Sequence, residues 1–199
     1  MGSSRKVSGN DEQGMRLQIL EATERCFRQF GSYKTTLQDF AGEAKVSRRT
    51  VYRYFGDREG LVSAFIEHRS DTFLNELERV FDTLSSLQQR LEAFASLAVR
   101  TSLKGRGSPT ALVDEETVAR QLTMRGQFTM AKSIDFLAPY FREAKRSGEI
   151  RRSLNVGRAS EWAVRMIISL ASTPSVTVDL TNDKEVRAFV RGHVIRGFQ

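Results

Sequence analysis

Residues 36–55 read TLQDFAGEAKVSRRTVYRYF, and the ends of two short helices are legible in them. Thr36 with Asp39 three residues on is a capping box: the hydroxyl satisfies early backbone N–H groups, and the carboxylate favours the positive end of the helix. Leu37, Phe40, Ala41 and Ala44 then recur at helical spacing, giving one buried stripe over about two turns. Ser47 is a second N-cap and opens a helix of Arg48, Arg49, Thr50, Val51, Tyr52, Arg53 and Tyr54. A helix, a tight turn and a second helix bearing side chains at its N-terminal end is the geometry that enters a DNA major groove.

Charge supports the same partner. Lys45, Arg48, Arg49 and Arg53 lie in one run without an acid, and the first 56 residues carry ten Lys and Arg against six Asp and Glu. That net +4 is most of the chain's formal +7. A basic segment attracts phosphates, and guanidinium forks fit guanine N7 and O6 in the major groove. Tyr52 and Tyr54 are placed to give hydroxyls to phosphates, which position without specifying sequence. Charge alone would also describe a solvated basic face; the caps, the turn and the apolar pattern favour DNA.

Bulk properties bound the rest. With 40% apolar and 28% charged residues, the composition is that of an ordinary globular protein. The lone Cys26 excludes an intrachain disulfide and any zinc site of paired cysteines, and its place on an apolar stripe makes it a buried small hydrophobe rather than a redox sensor. No apolar stretch approaches the roughly 18 residues of a membrane span, and no signal peptide precedes the first helix, so a cytoplasmic location is expected.

The pattern is 3.6-periodic throughout, predicting an all-α protein. A first helix is expected from about Gln13 to Phe30, with Ile19, Leu20, Thr23, Cys26, Phe27 and Phe30 inward and Gly31 closing it. Asp57 caps a long helix to about Thr83, with Leu61, Phe65, Phe73, Leu77, Val80 and Phe81 spaced for burial. Leu87 to Leu103 is amphipathic and gives way to a flexible run, Lys104–Ser108. Pro109 opens a short helix. A long stretch from about Glu116 to Ser147 follows, broken near Gly126, kinked at Pro139 and closed by Gly148. The last two helices span about Val156 to Ala171 and Asp183 to Arg196. The expected divisions are a disordered arm over 1–12, a DNA-binding helix-turn-helix domain over 13–56, and a helical ligand-binding and dimerisation domain over 57–199.

Phe30–Gly31, the paired Thr35 and Thr36, VSRRTVYRYF and DREGL follow one another in an order that resembles the tetracycline-repressor (TetR) family over about residues 15–66. EWAVRMIISLASTPS, from Glu161, resembles one subgroup. The resemblance implies a nine-helix homodimer paired through its last two helices, and a variable domain that takes a small-molecule effector. Carried over by position, Arg48, Arg49 and Thr50 read bases, while Tyr52, Tyr54, Arg58 and Lys45 contact the backbone; Thr36, Ser47 and Arg53 complete the candidate set. One residue departs from the family: glycine is usual where Lys45 stands. If that position is left-handed, lysine costs up to about 1 kcal/mol there.

Candidate effector-lining residues are His68, Met124, Phe128, Trp162, Arg165 and Met166. Arg165 lies inside the apolar run Trp162–Leu170, where an unpaired charge would be costly. It has three readings: a partner to Glu161 or Asp135, a dimer-interface residue, or the anchor of an acidic ligand. The family resemblance favours the interface. His68 and His193 form no metal-ligand spacing, and no nucleophile elbow, phosphate-binding glycine loop, HExxH or paired carboxylates mark an enzyme. No cofactor, metal or membrane is expected. The function read from the sequence is a repressor on a palindromic double-stranded operator, the long Asp57 helix serving as lever. The alternative is a protein that coats DNA without sequence preference, or a helical interaction protein.

Overall fold

The structure is a computed structural model that describes residues 9–30, 35–106 and 126–199. Eight α-helices occur among the described residues: α1 (Gly9–Phe30), α2 (Leu37–Glu43), α3 (Arg48–Phe55), α4 (Arg58–Phe81), α5 (Leu87–Arg106), α6 (Gly126–Ser147), α7 (Val156–Ser172) and α8 (Asp183–Phe189). The ninth, the short helix expected at Pro109, lies outside the described residues, as do the arm over 1–8, Gly31 and Met124. The described chain divides into two compact units, one ending at Arg69 and the other starting at Ser70.

The first unit closes around three phenylalanines. Phe27 of α1 meets Phe40 of α2 edge-on at 5.5 Å and Phe65 of α4 edge-on at 5.2 Å, and all three rings are fully buried. Such aromatic pairs contribute about 0.5–1.5 kcal/mol each beyond their buried area. Ile19, Ala41, Val51 and Leu61 fill the surrounding space. This core therefore draws on the first turns of α4, beyond the Gly56 at which the sequence reading closed the domain. α1 also starts earlier than expected, at Gly9, with Asp11 and Glu12 in its first turn complementing the helix dipole. Phe30, expected inward, is half exposed.

The turn between α2 and α3 carries the local strain of this unit. Val46 N–H donates to Ala41 O at 2.9 Å and Lys45 N–H to Gly42 O at 3.1 Å, the two bonds of a Schellman helix ending. The residue that ends such a motif is left-handed, and here it is Lys45, at φ 54°. Lysine thus occupies a conformation that glycine adopts without steric cost. A second constraint fixes α3 against α4. Asp57 Oδ1 caps α4 by accepting from Gly60 N–H at 2.7 Å, and a Cβ on Gly60 would lie 2.1 Å from Phe55 O. Only a residue without a side chain permits this approach.

The second unit packs α5, α6, α7 and α8 on a core that includes Leu91, Phe94, Leu137, Phe141, Ala163, Val164 and Ile167. Its first helix is capped from a distance: Glu149, in the α6–α7 connection, accepts from Leu87 N–H at 2.9 Å and Gln88 N–H at 3.0 Å. α5 remains helical to Arg106, so the run from Lys104 is helical at its start rather than a loop. α6 continues through Pro139 to Ser147, with Gly148 beyond it at φ 81°. Val80, expected in the core, is exposed on α4.

The C-terminal segment departs most from the sequence reading. α8 is α-helical only to Phe189; Val190–Val194 is π-helical and Ile195–Gly197 a 3-10 turn. The cause is legible in retrospect. Val186, Val190, Val194 and Phe198 are all buried, at a strict spacing of four. A four-residue repeat drifts about 40° per step around a 3.6-residue helix. Local widening at Gly192 keeps the apolar residues on one face, consistent with the use of π-turns as single-turn insertions.

Two substitutions test the first unit's geometry in opposite directions. Lys45→Gly should stabilise it by up to about 1 kcal/mol by relieving the left-handed side chain. Gly60→Ala should destabilise it by about 1–3 kcal/mol through overpacking against Phe55. Chemical denaturation of each variant measures both.

Candidate nucleic-acid interface

Each helix of the turn is capped as its sequence dictates. Thr36 accepts from Asp39 N–H through its hydroxyl at 3.3 Å, while Asp39 Oδ2 accepts from Thr36 N–H and Oγ1 at 2.7 Å each. These hydrogen bonds from Thr36 hold the Asp39 carboxyl below the usual carboxylate range. Ser47 Oγ accepts from Thr50 N–H at 3.0 Å, and its hydroxyl lies 2.8 Å from that of Thr50.

The orientation of α3 follows from one buried residue and three ties. Val51 is fully buried, so Arg49 and Arg53, one turn apart, face away from the core with Tyr52 beside them. Arg16 of α1 donates from Nη1 to Tyr54 O at 2.9 Å and lays its guanidinium over the Phe55 ring at 4.7 Å. Gln18 donates to Ala44 O at 2.8 Å, tying α1 to the turn. Arg58 donates from Nε to Thr35 O at 2.9 Å, holding the start of α4 to the segment before α2.

The resulting surface is basic and unneutralised. Lys45, Ser47, Arg48, Arg49, Tyr52 and Arg53 are exposed, and α3 has no acid in its first turn. Arg48 and Arg49 engage no hydrogen bond or ion pair among the described residues, which leaves their guanidinium forks available. Arg53 lies over the Tyr54 ring at 4.9 Å. Tyr54 is itself half-buried against the core, and Arg58 is committed to Thr35; both act to place the helix. Arg16 and Gln18 were missed by the sequence reading. Nothing in their spacing distinguishes them from solvated residues of α1, because their partners are backbone carbonyls.

Cys26 is buried, with its thiol 3.6 Å from Asp39 O, and burial pushes its pKa up to about 11, with Glu43 and Asp39 adding to the rise. A thiol so placed is a poor thiolate and serves as packing.

Three of the effector candidates share one helix. Trp162, Arg165 and Met166 lie on the exposed face of α7. Arg165 is exposed, so the expected cost of a buried charge does not arise, and its Nε and Nη2 donate to Glu161 at 2.9 and 2.7 Å. Trp162 stacks edge-on against Phe198 at 5.3 Å. His68 is half-buried on α4. Met124 lies outside the described residues, and Phe128 falls on α6 where side chains are not described. Among the described residues there is no group of three or more side chains able to hold a metal ion, and no helix is long and apolar enough to cross a membrane.

Residues 19–65 match the family model described as bacterial regulatory proteins, tetR family. HbdR, an HTH-type transcriptional regulator of Aromatoleum sp. (strain CIB), is 36% identical over 76 residues; the match spans 38% of this chain and 33% of HbdR. This chain therefore spans about a third of that relative. An uncharacterised HTH-type transcriptional regulator of Mycobacterium bovis is 26% identical over 191 residues, 95% of this chain and 96% of that one. In fold, the fatty acid degradation regulator FadR of Bacillus halodurans superposes with TM-score 0.68 at 15% identity, covering 88% of this chain and 93% of its own. A TetR transcription regulator of Haloarcula marismortui gives 0.68 at 16% identity, covering 94% and 98%. Residues 19–65 thus carry the DNA-binding unit of the TetR family of bacterial regulatory proteins, and the described fold agrees with that of TetR regulators.

Proposed function

We propose that this regulator is a repressor that reads a palindromic operator as a homodimer and leaves it when a small molecule binds. The observation that carries the reading is the pair Arg48 and Arg49: exposed, without a hydrogen-bond or ion-pair partner among the described residues, and at the first turn of a helix fixed by Val51, Arg16 and Gly60. Guanidinium groups held this way can present bidentate donors to guanine at low entropic cost. Thr50 lies beside them; Lys45, Ser47, Tyr52 and Arg53 supply phosphate contacts around the readers. Thr36, Tyr54 and Arg58 act through position.

Homodimerisation through the last two helices is supported by the outer face of α7. Trp162 and Met166 are large apolar side chains 37% and 36% exposed, one turn apart, with the Arg165–Glu161 pair beside them. A polar rim around apolar anchors is the usual anatomy of a protein interface. On this reading Trp162, Arg165 and Met166 belong to the dimer rather than to an effector site.

An effector acts only by binding more tightly to a dimer whose recognition helices are wrongly spaced for half-sites about 34–36 Å apart. FadR of Bacillus subtilis, with TM-score 0.57 and 18% identity to this chain, has been solved in complex with stearoyl-CoA. For this chain we carry over only the general class, a small organic ligand held in the second unit, in a cytoplasmic protein.

Two outcomes test the proposal. Arg48→Ala or Arg49→Ala should cost about 1–3 kcal/mol on the operator and less on random duplex, measured by titration of both DNAs. Equal losses on both would reject base reading and favour sequence-independent coating. Met166→Arg should shift the protein toward monomer in analytical ultracentrifugation and weaken operator binding in parallel; an unchanged dimer would place the interface elsewhere.

A further inference from the structure

A second concentration of positive charge lies in the C-terminal unit. Residues 142–158 hold six basic residues against two acids, a net +4 in 17 residues, equal to that of the first 56. The structure gathers part of it into an open groove of about 840 Å³, lined by Pro139, Arg142, Lys145, Arg146, Arg152 and Val156. That volume falls within the range of small-molecule sites.

The local acids do not neutralise this groove. Glu143 is held by Arg90 at 2.6 Å, and Glu149 caps the α5 amides with both oxygens. Arg142, Arg146 and Arg152 make no hydrogen bond or ion pair among the described residues. Lys145 gives one proton to Leu154 O at 2.8 Å, which fastens α6 to the connection and leaves two donors free. Cations in the last turn of α6 complement its dipole, which accounts for Lys145 and Arg146. It does not account for Arg142, a turn earlier and at the repulsive i,i+4 spacing from Arg146, nor for Arg152 beyond the helix. Like charges crowded into a concavity with no counter-charge among the described residues are the arrangement an anion would relieve.

We propose that this groove binds a small molecule bearing two or more phosphoryl groups. The three arginines supply planar, bidentate donors suited to phosphate oxygens, Lys145 adds a point charge, and Pro139 with Val156 offers an apolar surface to the rest of the ligand. The site shares no residue with the DNA-reading helix and goes beyond the regulatory reading above, on which it does not depend.

The test is fluorescence titration of the full chain with mant-ATP, with inorganic pyrophosphate as competitor. Wild type should bind saturably, with displacement by pyrophosphate and weakening as salt rises. Arg142→Gln/Arg146→Gln, confirmed as folded by circular dichroism, should bind about tenfold or more weakly. Arg142→Lys/Arg146→Lys should fall between the two, since it keeps charge and loses the fork. Arg48→Ala/Arg49→Ala should bind as wild type. The proposal is overturned by absence of saturable binding, by equal binding in the Gln variant, or by loss in the Arg48/Arg49 variant. It is equally overturned if only a DNA duplex, and neither phosphate probe, distinguishes the Gln variant from wild type.

Discussion

Phe27 is the point on which the DNA-reading unit depends. Its ring meets Phe40 and Phe65 edge-on, so α1, α2 and α4 are joined at one buried contact. α3 has only Val51 fully buried and is too short to hold its own orientation by packing. It is located instead by its neighbours: the Schellman turn ahead of it, Arg16 on the Tyr54 carbonyl and the Phe55 ring, and the close approach of Gly60 to Phe55 behind it. The outward face of α3, with Arg48, Arg49, Tyr52 and Arg53, is free to be polar because the helix is held through Val51, Tyr54 and Phe55.

Strain enters at one step of this construction. Lys45 occupies a left-handed position that favours glycine, in the turn immediately before the reading helix. The side chain gained there is a cation next to the surface where phosphates would lie, so a loss in stability is set against a gain in charge. That exchange is typical of residues whose conformation is dictated by function rather than by packing.

How much of this was legible in the sequence depended on whether the signal was local. The capping box at Thr36 and Asp39, the Ser47 cap, the Asp57 cap and the buried stripe of α2 are each set by residues within seven positions of one another, and the structure reproduces them. The conformation of Lys45 was posed correctly because a Schellman ending is local too. What escaped was tertiary. Arg16 and Gln18 act on backbone carbonyls 38 and 26 residues away. The groove basic residues were hidden in a net charge averaged over the C-terminal 143 residues, where distant acids offset them. For Trp162 and Met166, helical periodicity marks an apolar face without saying whether a pocket or a second molecule covers it. The π-helical end had a signal, the four-residue spacing of Val186, Val190, Val194 and Phe198, but it was read as an ordinary helix.

The central claim is that guanidinium groups on α3 read guanine edges in two symmetric half-sites. Guanine-N7 methylation interference on a bound DNA fragment tests it most directly. The account predicts that methylation blocks binding at guanines in two half-sites, related by dyad symmetry and centred one helical turn or a multiple of it apart. Binding indifferent to N7 methylation, or interference without two-fold symmetry, would contradict it.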